Sequence, residues 1–238
     1  MQQQAMESPK IFSYACLAAI VGGVGMVFAQ GLVFTYAPVE EHMKLVQKIF
    51  YIHLPMSWWG LFSFLVVFTA SIAFLRTRRR KWELLADAAA EVGVVLGALS
   101  LATGSIWAKA AWWTWWKWDY RLTTTLVMWL AYAAYLVLRG LDIPRERRAA
   151  IKAVAGIVAF LDVPLVFFAA RLGDSSHPAG IMSSGDGLEA AMRVAILVSL
   201  AAFGFIWFAM LALRHRIAVL EDACQAIGTL PCGSRSEA

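Results

Sequence analysis

Six of the chain's eleven tryptophans fall within twelve residues, in the run WAKAAWWTWWKWDYR at 107–121. An indole offers a large flat face and one N–H donor. One or two tryptophans would serve as a membrane-interface belt. Six together make a platform for a flat, conjugated, apolar ligand. Lys109, Lys117 and Arg121 place cations beside that platform, which suits a ligand edged with carboxylates. Haem has both properties. Trp107, Trp112, Trp115, Trp116, Trp118, Asp119 and Arg121 are therefore candidate haem-binding residues. Asp119 would repel carboxylates, so its role is assigned to bonding the loop or orienting Arg121 through charge-assisted hydrogen bonds.

Two histidines bracket this run. His53 lies in YIHLP at 51–55 and His177 in SSHP at 175–178. A single loop histidine is most often only a polar residue. Two that share a side of the molecule with a tryptophan platform can supply both axial ligands of haem iron, through neutral imidazole. Pro55 and Pro178 stiffen the backbone beside them. His42 follows Glu40 and Glu41 and reads as solvated, and His215 between Arg214 and Arg216 reads as a helix flank.

Other chemistry is sparse. Asp162, two residues before Pro164, is the acid placed deepest in an apolar run. An intramembrane acid is a functional candidate, but the simpler expectation is a protonated carboxyl bonded to a neighbouring helix. Glu91 is expected near an interface, and Glu189 and Arg193 have the i,i+4 spacing of a helical ion pair. Cys16, Cys224 and Cys232 form no CxxC pair, so neither a disulfide framework nor a zinc site is expected. Gly22, Gly23, Gly25, Gly93 and Gly97 suit close helix packing. The chain lacks the GxxxxGK[ST], GxSxG and HExxH signatures of P-loop, hydrolase and zincin chemistry.

The elements that must position these residues are membrane helices. Apolar residues make up 61% of the 238 and charged residues 16%, well below the roughly 25% charged of a soluble domain. Six runs approach the roughly 20 residues needed to span a bilayer: 11–34, 54–75, 85–106, 122–138, 153–170 and 190–213. The first is too long for a signal-peptide core of about 7–15 residues and reads as a retained helix. The net charge of +5 marks topology rather than nucleic-acid binding. Of 21 Lys and Arg residues, 14 fall in one alternating set of connections and seven in the other. The positive-inside rule then places both termini in the cytoplasm. The connections 35–53, 107–121 and 171–189 face outward, and they hold the tryptophan run and both histidines. The expected fold is an all-α membrane protein of six transmembrane helices over 1–220, with a mobile cytoplasmic tail over 221–238.

The segment WWTWWKWDYRLT at 112–123 closely resembles the WWD motif of the haem-handling membrane proteins of cytochrome c maturation. Within that group, the length and six spans resemble the haem exporter protein C (CcmC) family. TGSIW at 103–107, YIHLP at 51–55 and DVP at 162–164 also resemble family sequence, and the likeness covers about 11–215. Two departures stand out. Trp113 occupies a position where the family often has Gly. Leu172 and Gly173 stand where a tryptophan pair usually precedes the histidine.

The resemblance implies a bacterial inner-membrane protein, not itself an enzyme, that binds b-type haem transiently at the outer face. It implies His53 and His177 as axial ligands and tryptophan contacts to the porphyrin. It also implies presentation of haem to a periplasmic haem chaperone (CcmE), beside an ATPase subunit, a second membrane subunit and a small membrane peptide (CcmA, CcmB, CcmD). Two other functions suit a polytopic chain. A b-type electron-transfer cytochrome would bury its histidines within helices, whereas these two lie at or beyond helix ends. A transporter permease needs a polar path through the spans, which are poor in polar residues. Reporter fusions after Arg80 and Arg148 should read cytoplasmic, and those near Glu41 and Asp174 external. A cytoplasmic reading at Asp174 would separate the two histidines and break the shared site.

Overall fold

A computed structural model describes residues 2–39, 43–169 and 188–228. The described chain is helical almost throughout: α1 Gln2–Thr35, a short 3-10 turn at Leu45–Ile49, α2 Phe50–Thr77, α3 Arg80–Trp112, α4 Tyr120–Val137, a second 3-10 turn at Leu138–Gly140, α5 Arg145–Phe160, α6 Asp162–Ala169 and α7 Ala190–Gly228. They form six segments long and apolar enough to cross a membrane, with α5 and α6 making one of them. This is the expected fold class. The helices overrun the apolar runs at most ends, because a hydropathy pattern marks only the stretch suited to lipid. Thus α3 begins at Arg80 and ends at Trp112, and α7 continues past 220, where Asp222 is held by Arg80 at 2.9 Å and Arg145 at 2.6 Å.

The fifth span is broken where the sequence contains Pro164. Proline lacks the N–H that would bond to the carbonyl four residues earlier. That carbonyl belongs to Phe160, where α5 ends. The turn closes instead through the Leu161 N–H, which donates to Val158 O at 3.1 Å. Asp162 opens α6, and its buried Oδ2 has no hydrogen-bond partner among the described residues. The expected bond to a neighbouring helix is therefore not formed there.

Small residues let the helices approach closely. A Cβ on Gly93 would come within 2.6 Å of the Phe64 ring, so glycine is what allows α3 to lie against α2. Gly22 and Gly25 meet Ile206 and Ala202 of α7 in the same way, while Gly23 faces open space. Paired residues run in opposite order along α2 and α3, from His53 against Thr103 to Phe64 against Gly93. They do so again on α1 and α7, from Phe12 against Arg216 to Gly25 against Ala202. The start of α1 and the end of α7 thus share one end of the bundle. The tryptophan run lies at the other.

The first of these ends carries a charge network that the sequence reading missed. Glu83, Asp87 and Glu91 repeat at i, i+4 and i+8 along one face of α3. Lys152 of α5, only 3% exposed, sits 2.8 Å from Glu83 and 2.7 Å from Asp87. Tyr135 of α4 donates its hydroxyl to Asp87 at 2.9 Å. Arg139 and Arg214 both pair with Glu91. Three turns of α3 thereby hold α4, α5 and α7. At the opposite end, the Lys48 ammonium donates to the carbonyls of Val33 at 2.5 Å and Ala37 at 2.8 Å. It satisfies carbonyls that the C-terminus of α1 leaves open, and fixes the entry to α2. The expected Glu189–Arg193 ion pair is absent among the described residues; the Arg193 N–H bonds the Glu189 carbonyl instead, at 2.9 Å.

Removing one partner of a buried ion pair strands the other charge, at a cost of about 3–5 kcal/mol. Lys152→Met should therefore lower thermal stability in detergent by that order. Arg145→Met, at a half-exposed pair, should cost less than about 1 kcal/mol. Equal effects of the two substitutions would contradict the network's role.

Candidate functional site

The tryptophan run straddles the end of α3, an irregular turn and the start of α4. Trp107 and Trp112 lie on α3 itself rather than in a loop. The helix stops at Trp113, whose backbone is left-handed (φ 61°, ψ 12°) and whose N–H donates to Lys109 O at 3.1 Å. An L-residue in that conformation costs roughly 1–2 kcal/mol. This is the position where the resembled family often carries Gly, which adopts it freely. The Lys109 ammonium reinforces the turn by donating to Trp113 O at 3.2 Å. Thr114 then bonds Trp116 O at 3.0 Å.

Asp119 caps the next helix. Its carboxylate accepts from the Leu122 N–H at 2.8 Å, at the N-terminus of α4. The bond joins the turn to the helix, one of the two roles set out above. Arg121 follows in the first turn, half-buried and within electrostatic reach of Asp119.

These elements enclose a cleft lined by Gly104, Trp107, Trp112, Trp115, Trp116 and Lys117, among others. Trp107 and Trp112 stack at 6.3 Å, and Trp116 meets Trp118 edge-on at 5.8 Å. Lys109 stands 6.0 Å from the Trp115 ring and Lys117 6.0 Å from the Trp112 ring, both within cation–π range. Trp115 and Trp118 expose more than half their surface. The indole Nε1 atoms of Trp107 and Trp116 are buried and have no partner among the described residues. An unmet buried donor is costly, and two beside one cleft suit a ligand that brings acceptor oxygens.

His53 stands beside the cleft, in the first turn of α2, against its lining residues Trp107 and Gly104. Its ring meets Trp107 edge-on at 5.8 Å. Its Nδ1 lies 3.0 Å from the Thr103 hydroxyl. On the other side a Cβ at position 104 would stand 3.1 Å from His53 Cε1, so Gly104 gives the ring its place against α3. His53, Trp107, Trp112, Trp115, Trp116 and Lys117 are thus brought together. Trp118, Asp119 and Arg121 flank them. His177, with Leu172 and Gly173, lies outside the described residues, as does His42. In the sequence, Thr103 and Gly104 stand out only as part of the family-like string TGSIW. Thr103 and Trp107 stand four apart, on one face of α3, and it is α2 that brings His53 to that face.

The Heme exporter protein C family model matches residues 4–228. Among curated relatives, the Heme exporter protein C of Bradyrhizobium diazoefficiens is 33% identical over 76% of this chain and 70% of its own. That of Paracoccus denitrificans is 28% identical over 90% of this chain and 91% of its own. The Escherichia coli K12 protein of that name is 28% identical, over 87% and 83%. With six membrane-length helices and a tryptophan cleft beside a histidine, the chain belongs to the Heme exporter protein C family.

Proposed function

We propose that the cleft binds haem at the outer face of the bacterial inner membrane and presents it to a periplasmic haem chaperone (CcmE) for cytochrome c biogenesis. The chain would work beside the ATPase, second membrane subunit and small peptide of the same assembly. Membership in the family supports haem handling in cytochrome c maturation. The observation that carries the site is the pair of buried, unpartnered indole donors at Trp107 and Trp116, in an aromatic cleft beside His53.

In this reading the ligand's apolar face lies along the indoles. Burial of that face stabilises the complex by about 25 cal/mol per Å2. Its carboxylates accept from the Trp107 and Trp116 N–H groups and meet Lys117 or Arg121. His53 and His177 supply the axial nitrogens, which fix the iron's position. No single contact dominates, which suits a protein that must also release its cargo.

Substituting His53 or His177 by Ala should abolish the bis-imidazole visible spectrum, with partial restoration by added imidazole; unchanged spectra would remove that residue from the ligand set. Replacing Trp115, Trp116 and Trp118 together by Ala should lower both haem content and chaperone loading. Normal values would reduce the tryptophans to a membrane belt. Asp119→Ala should act through the helix cap. It should cost about 1 kcal/mol and speed proteolysis between Trp113 and Asp119, while Asp119→Asn keeps the cap. Equal proteolysis in Asp119→Ala and the parent would exclude the capping role.

A further inference from the structure

The bond between His53 and Thr103 carries more information than its length. A threonine hydroxyl has one proton and two lone pairs. Thr103 Oγ1 lies 2.8 Å from the Leu99 carbonyl and 3.1 Å from the Ser100 carbonyl on its own helix. A carbonyl oxygen only accepts, so two backbone oxygens of α3 compete for the one hydroxyl proton, the i−4 back-bond usual for a helical threonine. With its proton on that backbone, the same oxygen presents a lone pair toward His53 Nδ1, 3.0 Å away. In neutral imidazole one nitrogen bears the proton and the other the lone pair. That arrangement favours the proton on Nδ1 and the lone pair on Nε2.

We propose that Thr103 is a positioning residue that holds His53 in the Nδ1–H tautomer and at a fixed ring angle, so that Nε2 is the nitrogen offered to haem iron. The inference rests on the reading of His53 as an axial ligand. Three contacts fix the ring: the Thr103 oxygen, the Trp107 edge and the bare Cα of Gly104. The backbone beside it is held as well. Ser57 donates its hydroxyl to the His53 carbonyl at 2.8 Å and stands 2.5 Å from Ser100 Oγ on α3. A bond to the distal N–H also raises the basicity of a ligating imidazole, and losing such a bond typically costs 10–100-fold in metal affinity.

The test uses the full-length chain in lipid nanodiscs, labelled with 15N-histidine. In the haem-free protein, long-range 15N–1H spectra report the tautomer of each histidine, and His53→Gln identifies the His53 signals. The parent should show His53 protonated at Nδ1. Thr103→Val, which keeps the shape and loses the oxygen, should give a mixture of tautomers. Titrated with haemin, it should bind about 10–100-fold more weakly, and the potential of the bound haem should rise. Thr103→Ser, which keeps the hydroxyl, should restore all three readouts. A parent protein protonated at Nε2, or a Thr103→Val protein with the parent's tautomer and affinity, would overturn the proposal. The parent spectrum decides even if Thr103→Val does not fold. Should His53→Ala retain the parent haem spectrum, the ligand reading itself falls and the proposal with it. If His53→Ala loses haem while Thr103→Val matches the parent, only the role of Thr103 is overturned.

Discussion

A buried ammonium between two carboxylates fixes one end of this bundle, and the geometry of the other end follows from it. Lipid supplies no hydrogen-bonding partner, so every charge within a span must find one in the protein. Lys152 meets this demand for Glu83 and Asp87, and Arg139 and Arg214 meet it for Glu91. All three acids belong to α3. The helix is thereby clamped to α4, α5 and α7 over three turns, and its far end carries Thr103, Trp107 and Trp112. The tryptophan cleft and the charge network lie at the two ends of a single 33-residue helix.

Much of this was legible in the residues themselves. Long apolar runs gave six spans, because the cost of burying backbone and charge in lipid leaves few alternatives. Pro164 frees a carbonyl one turn back, and the fifth span, a single run in the sequence, divides there into α5 and α6. Gly93 and Gly97 marked close packing, because only a missing Cβ makes room for Phe64 and Trp129. Other features depended on partners distant in sequence. The acids Glu83 and Asp87 of α3 gain a shared role only through Lys152, which lies 65 residues from Asp87 in the chain. The helical state of Trp107 and Trp112 was hidden because indole and lysine end an apolar run without ending a helix. Thr103 gained a role only when α2 placed His53 beside it. The second histidine, His177, falls outside the described residues, and its place as a ligand stays a proposal.

Trp113 shows how the site's architecture and its sequence can be at odds locally. The chain must reverse direction directly after α3 so that the following tryptophans fold back over Trp107. That reversal requires a left-handed residue, and here a bulky one occupies it, 84% exposed. Lys109 and Asp119 offset the strain from either side, one bonding the Trp113 carbonyl and the other capping α4. Two side-chain hydrogen bonds hold a turn whose own central residue disfavours it. Such strain is tolerated where surrounding structure over-determines the conformation.

The length of α3 also sets a depth. From Glu91, its last acid, to Trp112, the helix rises about 31 Å at 1.5 Å per residue, close to the roughly 30 Å of a bilayer's hydrocarbon core. Lys109 is the one charge on that stretch, and it reaches toward the turn above. The helix therefore works as a ruler. That rise separates the acids at one end of α3 from the tryptophan cleft at the other by about one hydrocarbon thickness. On the proposed haem-binding reading, such a spacing would let a flat amphiphile keep its face toward apolar surroundings and its carboxylates toward water.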